Sequence, residues 1–152
     1  MGIDINLEIL EVARERTMKV GLANRIQYLE HGVTEIRGKL VFMTYAAYVC
    51  CLAFSEMSDE GRSYAISTAY SILKSGGLFM IADESNPRSR GKRLLRILVH
   101  APVRLLTYSL TQLATKPLEV PSVEVKEAGF VDVETDRIWG DRFMIIKGTR
   151  GQ

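Results

Sequence analysis

The chain has 152 residues, with 20 basic and 18 acidic side chains and a formal net charge of +2. So small a net charge gives no global field for a polyanion, and no nucleic-acid partner is expected. An apolar share of 47% and a charged share of 25% exclude wholesale disorder and predict a single domain over 1–152 that needs neither disulfide nor metal staple.

The N-terminal residues MGIDI read as the end of a buried strand. Asn6 then fits a helix N-cap, with Glu8 and Glu11 early and Arg14, Arg16 and Lys19 late, as the helix dipole favours. Gly21 is placed to stop that helix. Those early acids stand where a signal peptide needs a basic flank, so secretion is not expected and a cytoplasmic location is. Ile26–Leu29 and Leu40–Thr44 are the next strand candidates. The apolar run Val41–Phe54 is shorter than the roughly 20 residues of a membrane-spanning helix. Adjacent Cys50 and Cys51 lie inside it; they cannot frame a disulfide scaffold, which fits a reducing compartment, and they read as packing. Ser58-Asp59-Glu60 opens a second helix that should run to a Gly76-Gly77 turn, followed by a strand at Leu78–Ala82.

Composition then shifts. Residues 85–118 carry Arg88, Arg90, Lys92, Arg93, Arg96, Arg104 and Lys116 and no acid. Interleaved leucines make this segment a basic helical insertion, a lid, or a surface for peripheral contact with an anionic membrane. Pro121 begins the last unit, a helix ended by Gly129 and two strands near Val131–Ile138 and Phe143–Lys147. Strands separated by helix-length segments imply an α/β class with a mostly parallel, doubly wound sheet and a C-terminal antiparallel hairpin.

Gly2-Ile3-Asp4-Ile5-Asn6 is the sharpest local signal. A carboxylate at the end of a strand, just before a helix, can accept both hydroxyls of a ribose, though it can equally be a solvated cap. Asp83-Glu84 is a candidate proton acceptor on the same logic. His31 and His100 have no ligand-spaced partners, so no metal site is expected. Lys74-Ser75-Gly76-Gly77 lacks a phosphate-loop pattern and reads as a turn.

Three segments, taken together and in order, resemble class I S-adenosylmethionine-dependent methyltransferases, most closely the ubiquinone/menaquinone type. GIDINLEILEVARERTMKVGLANRIQYLEHGVTEI is similar to that family's second strand, helix and third strand. ILKSGGLFMIADES looks like its glycine turn and fifth strand, with Ser75 where proline is usual. VKEAGFVDVETDRIWGDRFMIIKGTR looks like the closing helix, glycine-phenylalanine turn and terminal β-hairpin of that family's Rossmann-like fold. The resemblance implies S-adenosylmethionine as cofactor, Asp4 as ribose acceptor and Ile5 packing on adenine. Gly32 and Val33 would border the base, Gly32 standing where the family often has an acid. Thr44 and Tyr45, at the end of the fourth strand, would border the methyl group, and Lys39 replaces the acid that usually precedes that strand. No catalytic base is identifiable. The family's first strand and glycine-rich loop would lie before Gly2, so an N-terminally truncated fold is expected, with an exposed sheet edge open to a homo-oligomer. The implied function is methyl transfer to a small-molecule or lipid-like acceptor. The alternative is a truncated or degenerate methyltransferase-like domain that binds a partner without catalysis.

Overall fold

The computed structural model describes residues 1–85 and 121–152; the basic insertion or lid expected at 85–120 lies almost wholly outside them. Contacts within the chain divide it into two compact units, Met1–Leu40 and Val41–Gln152.

The first unit is a βαβ element. β1 (Gly2–Asp4) leads into α1 (Leu7–Lys19), and β2 (Tyr28–Glu30) pairs parallel with β1, Asp4 opposite Glu30. Asn6 caps α1 as the sequence implies, its side-chain oxygen accepting from the N–H groups of Glu8 (2.9 Å) and Ile9 (3.3 Å). Gly21 follows with φ of +72°, a left-handed turn that glycine adopts without strain. The second strand sits two residues later than Ile26–Leu29, because Ala23–Arg25 forms a 3-10 turn that uses up chain first.

The second unit holds a four-stranded sheet in the order β3-β4-β6-β5, made of β3 (Tyr45–Cys51), β4 (Leu73–Glu84), β5 (Phe130–Ile138) and β6 (Phe143–Arg150). β3 and β4 are parallel and joined through α2 (Asp59–Ile72), whose N-cap Ser58 accepts from the Gly61 N–H at 3.1 Å. β6 runs antiparallel to β4 and β5, and α3 (Pro121–Glu127) precedes this hairpin. The class is α/β, with both parallel pairs joined through helices and the antiparallel hairpin where the sequence puts it.

In this unit two further boundaries differ from expectation. Leu40–Thr44 is not a strand: Met43 takes φ of +54°, and Val41, Phe42 and Met43 are exposed. β3 starts at Tyr45, so Lys39 does not stand immediately before it. Helix α2 ends at Ile72, and Lys74–Gly77 belongs to β4 as an irregular stretch with Gly76 at φ of +71°. A Cβ at Gly77 would lie 2.7 Å from the Lys74 carbonyl oxygen, so only glycine fits that close approach.

The core of this unit is apolar and aromatic. Phe54, Ile66, Phe79, Ile81, Val125 and Ile146 are buried, and Phe79 stacks on Phe130 at 4.7 Å between centroids. Tyr70 meets Phe130 edge-on at 5.1 Å, and the Arg150 guanidinium lies over Tyr70 while donating to the Leu73 carbonyl. These contacts fix the sheet on which the carboxyl-end loops rest. No described helix is long and apolar enough to cross a membrane.

Candidate functional site

In the first unit the carboxyl ends of β1 and β2 lie side by side. Asp4 is half-buried there, and its Oδ1 accepts the Asn6 N–H at 2.8 Å, which orients the carboxylate. No hydrogen bond engages Oδ2 among the described residues. Ile5 beside it is 74% exposed, an uncovered apolar side chain next to a carboxylate. Across the pair, the His31 N–H donates to the Asp4 carbonyl at 3.0 Å. The Gly32 N–H donates to Glu35 Oε2 at 3.2 Å and opens the 3-10 turn Val33–Glu35. Asp4, Ile5, Gly32 and Val33 are thus all at one edge.

A polar chain lines that edge. Lys39 Nζ lies 2.8 Å from His31 Nε2, and Glu35 Oε2 lies 3.6 Å from His31 Nδ1.

In the second unit the corresponding edge is built by β3 and β4. Cys51 pairs with Ala82, and Leu52 N–H donates to the Ala82 carbonyl at 2.9 Å. Leu52 is exposed and held at φ of +57°, a conformation that costs a branched residue about 1 kcal/mol. The next turn, Phe54–Glu56, is anchored by Asp83, which is fully buried at 0% exposure. Its Oδ2 accepts the Ser55 N–H at 3.0 Å and its Oδ1 the Glu84 N–H at 2.7 Å. Asp83 is therefore a loop anchor, out of an acceptor's reach; Glu84 is the exposed member of that pair.

Thr44 and Tyr45 are not at this edge. Thr44 N–H donates to the Ile72 carbonyl at 2.9 Å and Tyr45 pairs with Leu73, which puts both at the amino ends of β3 and β4. Leu52 and Ala53 stand where they were expected. Cys50 is partly buried beside Asp83 and Cys51; burial first, then those two charges, pushes its pKa up to about 12, so the thiol keeps its proton. No group of His, Cys, Asp or Glu suited to a metal occurs among the described residues.

No protein-family model matches the chain. The ubiquinone/menaquinone biosynthesis C-methyltransferase UbiE of Brucella anthropi is 32% identical over 83 residues, covering 55% of this chain and 30% of that protein. Among solved structures, phosphoethanolamine N-methyltransferase 2 of Haemonchus contortus, bound to phosphomonomethylethanolamine and S-adenosylhomocysteine, superposes with a TM-score of 0.71 at 16% identity. The match covers 99% of this chain and 43% of that one. The chain shares the fold of these S-adenosylmethionine-dependent methyltransferases. A possible exported protein from Bordetella parapertussis shares the fold with a TM-score of 0.76 at 18% identity, over 99% of this chain and 53% of that one. The chain spans about 30% of the length of the curated relatives it matches.

Two residues on these edges carry no signal that periodicity detects. Leu52 is marked by its backbone angle alone. Trp139, at the β5–β6 turn, is legible as the chain's one tryptophan beside a Gly-Asp turn pair.

Proposed function

We propose that this chain binds S-adenosylmethionine and takes part in methyl transfer to a small-molecule or lipid-like acceptor. The observation that carries the reading is Asp4: a carboxylate at the end of a parallel strand, oriented through one oxygen and open at the other. Asp4 accepts the ribose hydroxyls. Ile5 supplies the apolar surface on which adenine lies, and Gly32 and Val33 border the base. The donor set fits the adenosine half of the cofactor, because a diol needs an acceptor and a purine face needs apolar cover.

The sulfonium cofactor supplies the reactive methyl group, so the protein's part is to orient the acceptor and exclude water. Leu52 and Ala53 take the acceptor-side role expected of Thr44 and Tyr45. The same reading puts the protein in the cytoplasm, where Cys50 and Cys51 remain free thiols. A second copy of the chain is placed along the outer edge of β3, an uncharged strand.

Calorimetry with S-adenosylhomocysteine tests the reading. A charge-assisted hydrogen bond contributes roughly 1.5–3 kcal/mol, so Asp4→Ala should weaken binding about ten-fold or more. Equal affinity in the two proteins would remove Asp4 from the site. No binding by a folded wild-type chain would favour the non-catalytic, partner-binding alternative.

A further inference from the structure

Among the described residues the largest apolar side chain left in water is Trp139, 75% exposed at the tip of the β5–β6 hairpin. Ile138 pairs with Phe143, which leaves residues 139–142 as the connecting loop. Trp139, Gly140 and Asp141 take φ of 52°, 66° and 68°. Only glycine adopts such angles freely, so the loop is held in place by its surroundings. Ser85 Oγ donates to the Asp141 carbonyl at 2.8 Å, and Ser85 N–H donates to the Arg142 carbonyl at 3.0 Å. The Phe143 ring tilts against the indole, with centroids 5.6 Å apart and planes at 59°. The indole is therefore positioned, yet it contributes little burial to the fold.

Its place in the sheet is informative. Glu84 pairs with Phe143 and Ala82 with Cys51, so the hairpin tip shares one edge with the carboxyl ends of β3 and β4. Open α/β sheets bind ligands at that edge. Arg142, at the far end of the same loop, is exposed, and no ion pair engages it among the described residues. A fixed π-face and an exposed guanidinium on one short loop suit a flat ring with a negative charge.

We propose that Trp139 is a specificity-determining residue: it is the stacking platform for a planar conjugated acceptor whose anionic group meets Arg142. The word acceptor rests on the methyl-transfer reading; the ring-binding site does not.

Because Trp139 is the chain's single tryptophan, its indole N–H gives one unambiguous peak in a proton–nitrogen correlation spectrum. The probes are 2-naphthoate, a flat anionic ring system, and decanoate, an aliphatic carboxylate of similar size. 2-Naphthoate should move the indole peak saturably, and decanoate should not. Trp139→Leu should weaken 2-naphthoate binding about ten-fold, Trp139→Tyr should keep most of it, and Arg142→Gln should weaken the naphthoate but not neutral 2-naphthol. Equal response to decanoate, or unchanged affinity in a folded Trp139→Leu variant, would overturn the assignment. Calorimetry with S-adenosylhomocysteine on the same samples separates the two ideas. Cofactor binding without ring binding removes the Trp139 site alone. Ring binding through Trp139 without cofactor binding removes the methyltransferase reading and leaves the site.

Discussion

Cys50 lies against β4, partly screened from water, with Asp83 and Cys51 close enough to oppose a thiolate. Its pKa is pushed up to about 12 from 9.0, so in the folded chain it keeps a proton that the unfolded chain loses first. The folded state thus binds more protons than the unfolded state across that window. Its stability is full below about pH 9 and falls as pH rises through the window. Urea unfolding between about pH 8 and 11 should show that fall, and Cys50→Ala should flatten it. Tyr48, pushed upward mainly by burial, leaves a remaining slope of the same sign. A slope identical in Cys50→Ala would show that the thiol is not its source. Gly129 gives a second test at this scale. It takes φ of +99°, and a Cβ there would lie 3.1 Å from the Tyr70 ring. Gly129→Ala should cost roughly 1–3 kcal/mol, read from the urea midpoint. A midpoint shift of only a few tenths would mean that the Tyr70 ring yields easily.

Helix α1 depends on its cap. Asn6 satisfies two N–H groups that would otherwise be unpaired, and α1 covers the small β1–β2 pair. Asn6→Ala should destabilise this unit by about 1 kcal/mol, seen as faster amide exchange over residues of α1. Unchanged exchange would mean that packing alone holds the helix. The cap was legible because Asn6 and Ser58 announce helix starts through their own chemistry. The same is true of Gly21 and Gly129, whose positive φ leaves few other residues suitable. β3 was misplaced for a physical reason. VFMTYAAYVCC is apolar but for Thr44, and nothing in its periodicity distinguishes exposed Val41–Met43 from the paired Tyr45–Cys51. Pairing decides instead, through Ala47 opposite Leu78 and Cys51 opposite Ala82. That shift leaves Leu52 and Ala53, not Thr44 and Tyr45, at the carboxyl end of β3. The end of β1 and its Asn6 cap were legible because a short strand, an acid and a cap fall within five residues. Asp83 as an anchor was not, since its partner Ser55 lies 28 residues away in sequence.

At the scale of the whole molecule the four-stranded sheet has two edges with opposite character. β5 is guarded: it carries Asp132, Glu134, Asp136 and Arg137, and its pairing with β6 is broken between Val131 and Glu134. Charges and a bulge on an edge strand oppose pairing with another chain. β3 has neither guard over Ala47–Cys51, where its register with β4 is regular, and its sequence YAAYVCC contains no charge or proline. Ala46, Ala47, Val49 and Cys51 are exposed along it. An uncharged edge is compatible with a copy of itself, because no like charges meet when two such strands align antiparallel about Tyr48. The chain should therefore self-associate with rising concentration in sedimentation-velocity runs. Val49→Lys puts a solvated charge on β3 and should shift the distribution to monomer without changing the folded spectrum. Glu134→Lys on the guarded edge is the control and should leave self-association as it is. A wild type that stays monomeric throughout, or association that survives Val49→Lys, would mean that β3 is not where copies of the chain meet.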